Sequence, residues 1–267
     1  MIGIIGGSGF YELLEGHKHL DVMTPYGRPS SKIAVGEIQG KKVAFISRHG
    51  EGHKYPPHKV PYKASIYALK QLGIKQIISA TAVGSLKVQI RPGDFLVPDQ
   101  LANFTSGRED TFYNGDSSSV EKCVVHLSFA DPFCNHIRNH LIKTLKSQEH
   151  RFHQKGTAVV INGPRFSTKA ESNLFRNQNW DIVNMTLYPE ALLARELEIC
   201  YANISLITDY DTGVKEDNSV ESVTVEDVMK TFKENSEKLK NIIKEVAFNL
   251  DEKDCTCQHA LEGSRMG

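Results

Sequence analysis

The sequence feature that most constrains the fold is an apolar run at residues 201–207, which is followed by the carboxylates Asp209 and Asp211. An uncharged run rich in Ile and Leu is typical of a strand buried on both faces, and such a strand needs a sheet with helices on each side. Asp209 and Asp211 are predicted to lie just past the carboxyl end of this strand, where open α/β sheets bind ligands. Their spacing lets both side chains point the same way in an extended chain.

Two carboxylates at a strand end suit a ligand that offers N–H donors, because a carboxylate only accepts hydrogen bonds. A 6-aminopurine is such a ligand. The alternative is that Asp209 and Asp211 only cap the turn that follows them. The polar groups at the other strand ends favour a ligand site.

Further apolar runs predict strands, and helical patterns lie between several of them. The predicted strands cover residues 2–5, 33–35, 43–46, 76–79, 95–97, 157–161, 182–183 and 202–207. Helices are predicted at 62–72, 132–145 and 189–197, and a last helix, capped by Thr224, has apolar positions from 225 to 250. A long functional loop is predicted at 103–120. The sequence therefore predicts one α/β domain at residues 1–250 and a polar tail at residues 251–267.

The charge balance disfavours two classes of partner. The chain has 32 basic and 32 acidic residues, whereas nucleic acids and anionic membranes normally demand a basic face. No apolar run reaches the ~20 residues of a membrane span, and the first residues lack signal-peptide features, so a cytoplasmic protein is expected. The 11 histidines are scattered without the spacing of a metal site, and no metal is predicted.

The five cysteines do not form a disulfide framework by their number alone. Cys123, Cys134 and Cys200 lie in segments that look buried, so free buried thiols are expected. Cys255 and Cys257 form a Cys-x-Cys pair near the end of the chain. This pair could close a strained, redox-active disulfide or stay reduced, and the sequence leaves both possibilities open.

Two of the predicted strand ends, after residues 2–5 and 43–46, carry groups that suit an anion. The turn at residues 3–9 offers main-chain N–H groups and the Ser8 hydroxyl. A dinucleotide fingerprint would need a third glycine where Glu12 stands, which disfavours an NAD-dependent oxidoreductase. Arg48 and His49 follow the strand at 43–46, and the planar donors of arginine match a phosphate. The alternatives are a tight turn around Ser8 and a surface salt bridge of Arg48.

Two further strand ends complete the pattern. The small residues at 79–85, with Thr81 and Ala82 among them, would let a ligand approach the backbone. Met185 and Thr186 follow the strand at 182–183, and they offer an apolar surface to a sugar and a donor to an anion. Core packing is the ordinary alternative for Met185. A phosphate and a purine nucleoside in one pocket imply phosphorolysis, with phosphate as a co-substrate and no cofactor.

Short motifs along the chain resemble the nucleoside phosphorylase family, from residue 3 to about residue 250. In order, they are Gly-Ile-Ile-Gly-Gly-Ser-Gly (3–9), Thr-Pro-Tyr-Gly (24–27), Arg-His-Gly (48–50), Pro-Gly-Asp (92–94), Ala-Asp-Pro-Phe-Cys (130–134), Gly-Pro-Arg-Phe-Ser-Thr-Lys-Ala-Glu-Ser (163–172), Asn-Met-Thr (184–186) and Thr-Asp-Tyr-Asp (208–211). Each motif alone is weak, but their common order is specific. The resemblance implies a single α/β domain with a mixed central sheet flanked by helices, assembled as a homotrimer or as a hexamer of two trimers.

The resemblance also implies a reaction, the phosphorolysis of S-methyl-5′-thioadenosine to adenine and 5-methylthioribose 1-phosphate in purine and methionine salvage. This is a pentosyl transfer. The residues that match the family's phosphate ligands are Ser8, Arg48, His49, Ala82 and Thr186. The matches on the nucleoside side are Met185 for the ribose floor, Phe166 and Ser167 for the base, His126 for a histidine that reaches a neighbouring subunit's 5′-group, and Val225, Val228 and Met229 for an apolar methylthio pocket.

The expected chemistry gives Asp209 and Asp211 different tasks. The leaving adenine needs a proton at N7, and Asp209 is the candidate donor, because burial beside Asp211 would raise one of the two pKa values. Asp211 would repel the carbonyl of a 6-oxopurine, which favours adenine. The alternatives are a phosphorylase of inosine or guanosine, and a nucleoside-binding protein without catalysis.

Overall fold

The computed structural model describes residues 1–7, 13–115, 123–212, 214 and 223–266. Within them, no helix is long and apolar enough to cross a membrane. The strands are β1 Ile2–Gly6, β2 Glu15–Leu20, β3 Ile33–Ile38, β4 Lys41–Ser47, β5 Gln76–Ser85, β6 Phe95–Leu96, β7 Gln100–Phe104, β8 Val124–Val125, β9 Phe152–His153, β10 Thr157–Ile161, β11 Ile182–Asn184, β12 Cys200–Tyr210 and β13 Arg265–Met266. The α-helices are α1 Tyr62–Gln71, α2 Asn135–Ser147, α3 Lys169–Asn177, α4 Leu187–Glu196 and α5 Val225–Asn249.

A mixed central sheet is organised around β5. Its strand order is β2-β3-β4-β1-β5-β11-β10-β7, and β12 pairs with the other edge of β5. The strands β1, β4, β5 and β12 run parallel to their neighbours in this centre, whereas β11 is antiparallel to β5. The parallel strands therefore end on one side of the sheet, where β11 meets them from the opposite direction.

Helices cover both faces of this sheet, as the apolar run at residues 201–207 requires. One core cluster packs α2 and α5 against the sheet, and a second cluster packs α1 and α4 against it. The strand β12 is buried from Cys200 to Thr208. Because both faces of β12 are covered, its residues can be apolar without the alternation of a half-exposed strand.

Several predicted strands are longer in the structure, and in β5 and β12 the extension includes residues of the predicted site. The strand predicted at 76–79 continues to Ser85, so Thr81 and Ala82 lie inside β5 and not beyond its end. The strand predicted at 202–207 continues to Tyr210, so Asp209 is part of β12 and only Asp211 follows it. Small and polar residues give a weak strand signal. Pairing along the whole length of β5 and β12 outweighs that weakness.

The predicted helices all form, with ends shifted by a few residues, but α3 and the strands β2, β7, β8, β9 and β13 were not predicted. The α3 helix is short and mostly polar, and it begins at a capping box in which Thr168 accepts from the Glu171 N–H. The polar segment predicted at 103–120 is irregular from 105 to 113, where the structure describes it. Local patterns in these segments are too short to identify them.

The segment after α5 packs back on the same body. Cys257 is buried within the core cluster of α2 and α5, and β13 pairs antiparallel with β8. The domain boundary at residue 250 stays a prediction, but residues 251–266 are attached to the fold by buried contacts.

Candidate active site

The centre of the sheet leaves a gap along one edge of β5. β1 pairs with β5 as far as Ser79, and β11 pairs with it from Gly84 onward. Because β1 and β11 run in opposite directions, their carboxyl ends point toward each other across residues 80–83. Ala82 is the one exposed residue of β5, whereas Thr81 and Val83 are buried. The gap is therefore a recess floored by a small side chain.

Arg48, at the end of β4, lies beside this gap in a buried ion pair. Its Nε and Nη2 donate to the carboxylate of Glu190 at 2.7 and 2.9 Å. Its Nη2 also donates to Ser79 Oγ at 2.7 Å, and its Nη1 donates to the Ala80 carbonyl at 2.9 Å. Burial lowers the pKa of Arg48, but the Glu190 carboxylate outweighs this effect, and the pKa is raised.

Glu190 leaves few donors of Arg48 for a ligand. Among the described residues, one N–H on Nη1 has no bond, so Arg48 can offer a phosphate one donor and not a planar fork. The Tyr201 hydroxyl also donates to Glu190, at 2.7 Å. The role of Arg48 as a phosphate ligand stays a prediction. Glu190 was not singled out from the sequence, although it is the one charged residue between 187 and 194, which was a usable signal.

His49 is half-buried next to Arg48, and the main chain fixes its tautomer. Its Nδ1 lies 2.8 Å from the carbonyl oxygen of Tyr55, which only accepts, so Nδ1 carries the proton. Burial, followed by the charge of Arg48, lowers the pKa of His49 to about 4. The neutral ring therefore presents Nε2 as an acceptor. A phosphate can bond to Nε2 only through a proton that the phosphate carries or the ring takes up.

Met185 and Thr186 lie at the end of β11 that faces the gap. The Asn184 side chain holds this end by accepting from the N–H groups of Thr186 and Leu187, both at 2.7 Å. Gly163 packs against Met185, and a Cβ at Gly163 would come within 2.5 Å of the methionine sulfur. A glycine is therefore needed for Met185 to occupy this position.

Arg108, which was not singled out from the sequence, supports the same end of β11. Its Nη2 donates to the carbonyls of Met185 and Asn162 at 2.9 and 3.1 Å, and its Nη1 donates to the carbonyl of Tyr188. Burial lowers the pKa of Arg108. Arg108 lies in the loop at 103–120 that was predicted to be functional. The length of that loop was the only sequence signal that it supports the site.

Thr81 differs from its neighbour Ala82. The Thr81 hydroxyl lies 3.2 Å from both Asn203 Oδ1 and Ser205 Oγ, in a buried network between β5 and β12. Successive side chains of a strand point to opposite faces. A contact between Thr81 and a phosphate in the gap would therefore have to come from the main chain, and it stays a prediction.

Asp209 lies at the end of β12, directly after a bulge. Ile207 pairs with Val83 and Asp209 pairs with Gly84, so Thr208 is an extra residue. Bulges of this kind re-aim side chains next to active sites. The Thr208 hydroxyl donates to Asp209 Oδ1 at 2.7 Å. A Cβ at Gly84 would come within 2.9 Å of Asp209 Oδ2, so the glycine makes room for the carboxylate.

The pKa of Asp209 is raised to about 6. Burial is the main cause, the Thr208 hydrogen bond opposes it, and the charges of Asp211 and Asp227 add to it. Asp227 lies in the first turn of α5, so the start of that helix is close to Asp209. Asp209 thus keeps its proton to a much higher pH than an ordinary aspartic acid does.

Asp211 lies next to Asp209 and near two serine hydroxyls, but its carboxylate is not satisfied. Burial raises the pKa of Asp211, and the facing hydroxyls of Ser172 and Ser167 offset part of this effect. Neither serine reaches hydrogen-bonding geometry: Asp211 Oδ2, Ser167 Oγ and Ser172 Oγ are all buried without a partner among the described residues. An unsatisfied buried polar group costs about 1–3 kcal/mol. Three of them together indicate a place for a polar ligand.

The other predicted ligand residues lie around or outside this centre. Phe166 precedes Ser167 and is half-buried. Val225 and Met229 are 65% and 58% exposed on the first turns of α5, and Val228 is half-buried between them. His126 is exposed, and its main-chain N–H donates to the Ser264 carbonyl at 2.8 Å. Ser8 lies outside the described residues.

A family model described as the phosphorylase superfamily matches residues 1–247. The chain belongs to the phosphorylase superfamily. This phosphorylase is 47% identical over 262 residues to the S-methyl-5′-thioadenosine phosphorylase of Pyrococcus furiosus, covering 98% of this chain and 97% of the relative. It is 44% identical over 264 residues to the protein of the same name from Nitrosopumilus maritimus, covering 98% and 96%.

Solved structures give the same assignment. The methylthioadenosine phosphorylase of Schistosoma mansoni in complex with adenine superposes with a TM-score of 0.92 at 36% identity, covering 99% of this chain and 98% of the other. A methylthioadenosine phosphorylase from an antarctic soil metagenomic library gives a TM-score of 0.91 at 38% identity, covering 99% and 92%. The family, the enzyme class and the α/β fold with a mixed sheet, all predicted from the sequence, are confirmed.

Proposed function

We propose that this phosphorylase catalyses the phosphorolysis of S-methyl-5′-thioadenosine, releasing adenine and 5-methylthioribose 1-phosphate. Nearly full-length relatives at 44–47% identity carry the name of this activity, which agrees with the reaction predicted from the sequence. A Schistosoma mansoni variant has been solved with methylthioadenosine itself, with a TM-score of 0.90 to this chain. In this reaction, phosphate is a co-substrate and no cofactor takes part.

The observation that carries the proposal is that the two edges of β5 bear different polar groups, one set suited to phosphate and the other to a purine. On one edge, Arg48 and Thr186 border the recess above Ala82, and this recess suits the phosphate. On the other edge, the end of β12 supplies Asp209 and Asp211, which suit the purine. A nucleoside that spans β5 would place its ribose C1′ between the two, with Met185 beneath the sugar.

Asp209 is the proposed general acid. As the C1′–N9 bond breaks and a phosphate oxygen bonds to C1′, the leaving adenine gains electron density, and a proton from Asp209 to N7 discharges it. The carboxyl must be protonated in the complex, and its pKa of about 6 supports this state. General acid catalysis contributes on the order of 10²–10⁴ in rate. Asp209 then recovers its proton from solvent after product release.

Asp211 is the proposed reader of the 6-amino group. Its Oδ2 is a buried acceptor without a partner among the described residues, and an exocyclic amine would supply the missing donor. A 6-oxopurine would place a carbonyl there and leave two acceptors facing each other. Sites that hydrogen-bond a substrate group reject analogues without it by on the order of 10⁴.

Phosphate would be held through several single donors. The proposed contacts are the remaining N–H of Arg48, the hydroxyl of Thr186 and the main chain around Ala82, with Ser8 as a further ligand outside the described residues. His49 is neutral before binding, and the dianion would favour proton uptake by its Nε2. Phosphate affinity would then rise as the pH falls.

A homo-oligomer is proposed for the 5′ side of the site. His126, Val225 and Met229 are exposed in the single chain, which is consistent with a pocket completed by a neighbouring subunit. The number of subunits, three or six, and a cytoplasmic location stay predictions. Sedimentation of the purified protein across a concentration series would test the assembly.

One assay tests the proposed reaction. Adenine release from methylthioadenosine should require phosphate and should exceed hypoxanthine release from inosine, and the Asp211→Asn variant should reduce this preference. Release that does not depend on phosphate, or faster turnover of inosine, would contradict the proposal. Binding of methylthioadenosine without any release would instead support a nucleoside-binding protein.

A further inference from the structure

Four cysteines that are far apart in the sequence converge at one point, away from the proposed phosphorolysis site. Cys134 precedes α2, Cys200 is the first residue of β12, and Cys255 and Cys257 come from the segment after α5. Their four sulfur atoms all lie within 4.8 Å of one another. Cys255 is half-buried and the other three are buried. The fifth cysteine, Cys123, is not part of the cluster.

We propose that Cys134, Cys200, Cys255 and Cys257 together bind one structural zinc ion. This site is independent of the proposed phosphorolysis. Thiolates are soft ligands that select zinc over harder cations, and a closed set of four is typical of structural zinc. Binding would release the protons of those cysteines that are thiols.

The sulfur spacing fits a tetrahedral ion. Zn–S bonds of about 2.3 Å in a tetrahedron place the sulfur atoms about 3.8 Å apart. Cys134 Sγ and Cys255 Sγ are 3.9 Å apart, and Cys200 Sγ and Cys255 Sγ are 3.0 Å apart. None of the five cysteines, all of which are described, forms a disulfide. Shifts of less than 1 Å would open the shortest pair to the spacing of about 3.8 Å that zinc requires.

The surroundings supply donors to the negative charge that four thiolates around zinc would carry. Cys134 is the N-cap of α2, and the main-chain N–H groups of His136 and Ile137 face its sulfur. The Gln258 amide donates to Cys200 Sγ at 3.7 Å. Such N–H contacts orient thiolate ligands and stabilise them.

The main chain holds the ligands in place from both sides. The Cys134 N–H donates to the Tyr201 carbonyl at 2.7 Å, and the Cys200 N–H donates to the carbonyl of Lys75 at 2.9 Å. The start of α2, the start of β12 and the residue before β5 are therefore joined here. Cys255 and Cys257 belong to the segment that leads to β13. An ion would therefore attach the end of the chain to the central sheet.

The same segment contacts His126, which was predicted to reach the active site of a neighbouring subunit. β13 pairs with β8, and the Ser264 carbonyl accepts from the main-chain N–H of His126. Loss of the ion would loosen the segment that carries Ser264. We therefore expect metal removal to lower the stability of the end of the chain before it affects the central sheet.

A second group of residues whose types and spacing could hold a metal begins two residues after Cys134 and provides the control. His136 and His140, on one face of α2, both approach Asp251 Oδ1, at 3.2 and 3.3 Å. Asp251 is exposed, and its contacts with the two histidines become ion pairs only when a histidine is protonated. His140→Ala removes this group without changing a cysteine, and Cys123→Ser removes a thiol outside the cluster.

The test uses the full chain purified under reducing conditions without metal-affinity resin. Elemental analysis should give about one zinc per chain, and exchange for cobalt(II) should give the intense visible bands of tetrahedral thiolate coordination. Cys257→Ser should lose the ion, whereas Cys123→Ser and His140→Ala should keep it. If Cys257→Ser fails to fold, the metal content and the cobalt spectrum of the unmodified chain still decide the question.

Three results would overturn the proposal. The first is a chain that is folded and free of zinc after purification and that does not take up added zinc. The second is an intact mass lowered by the hydrogens lost in disulfide formation, with no metal, which would assign the cluster to disulfides. The third is metal that stays in Cys257→Ser and is lost in His140→Ala, which would assign it to the histidine group.

Discussion

The two polar regions beside β5 differ in how completely their groups are satisfied. Arg48 and Glu190 form a buried pair in which the carboxylate receives bonds from Arg48, Ser79 and Tyr201. Asp209 and Asp211, across the same strand, have raised pKa values and one oxygen without a partner among the described residues. A region whose hydrogen bonds are complete fixes the scaffold, and a region whose bonds are incomplete is prepared for a ligand.

This comparison separates stability from activity. Removing a member of a satisfied buried pair leaves its partner charged and alone, so the fold loses stability. Removing an unsatisfied acid lowers activity, and it removes a desolvation cost from the folded state. Four predictions test this separation, and they follow from the largest expected effect to the smallest.

Asp209→Asn should lower kcat/KM for methylthioadenosine on the order of 10²–10⁴, because the amide cannot protonate N7. Asp211→Asn, the matched control, should lose far less activity with this substrate. Steady-state kinetics of both variants, with circular dichroism to verify folding, provides the measurement. Comparable small losses in the two variants would refute the assignment of Asp209 as the acid.

Glu190→Gln should destabilise the protein by about 3–5 kcal/mol, because Arg48 is left charged and buried without its carboxylate. The measurement is urea unfolding at neutral pH. Glu237→Gln is a suitable control, since Glu237 pairs with Lys240 at a side-chain exposure of 75% and should cost within about 0.5 kcal/mol. An effect of Glu190→Gln as small as that of the control would show that the pair is not structural.

Gly84→Ala should reduce kcat/KM by roughly 10-fold to 100-fold, because the new methyl group would displace Asp209 Oδ2, and small misplacements are costly in catalysis. A Cβ there would lie 2.9 Å from that oxygen. In an Asp209→Asn background, the same substitution should cost much less, since the acid is already absent. Equal losses in both backgrounds would indicate that Gly84 acts on some other group.

The pH dependence of stability should differ between the wild type and Asp209→Asn. The folded-state pKa of about 6 lies above the ordinary value, so the folded chain binds more protons than the unfolded chain in the interval between them. The contribution is therefore present below the ordinary value of about 4 and is lost as the pH rises through about 6.

Urea unfolding of the wild type and Asp209→Asn at several pH values measures this difference. The stability of the wild type relative to the variant should fall with rising pH across this interval, and kcat/KM of the wild type should fall above about pH 6. A stability difference that does not vary with pH would place the pKa of Asp209 near its ordinary value.

The central strands and four of the five α-helices were predictable because neighbouring residues encode each of them. The apolar run before Asp209 and the helical pattern after Thr224 are complete local signals. The extension of β5 to Ser85 was not predictable in this way, since residues 80–85 become strand only by pairing with β11 and β12. The fold class was therefore predictable from the sequence, but the position of Thr81 inside β5 was not.

The residue types of the site were predictable from the sequence, but the residues that pair with them in the structure were not. Arg48 was recognised as a possible anion ligand, but Glu190 lies 142 residues away, and only the fold brings it to the guanidinium. Arg108 and the cysteine cluster were missed for the same reason, because Cys134 and Cys255 are separated by 121 residues. Patterns of residue spacing do not predict contacts between residues that are more than 100 positions apart in the sequence.

The facing ends of β1 and β11 set a fixed width for whatever binds above Ala82. Pairing stops at Ser79 and resumes at Gly84, so the window spans the four residues between them, about 13 Å of extended chain. Lengthening either strand by a single residue would narrow the window by about 3.3 Å. The lengths of β1 and β11 therefore set the size of the anion that fits, and this size can change only by whole residues of strand.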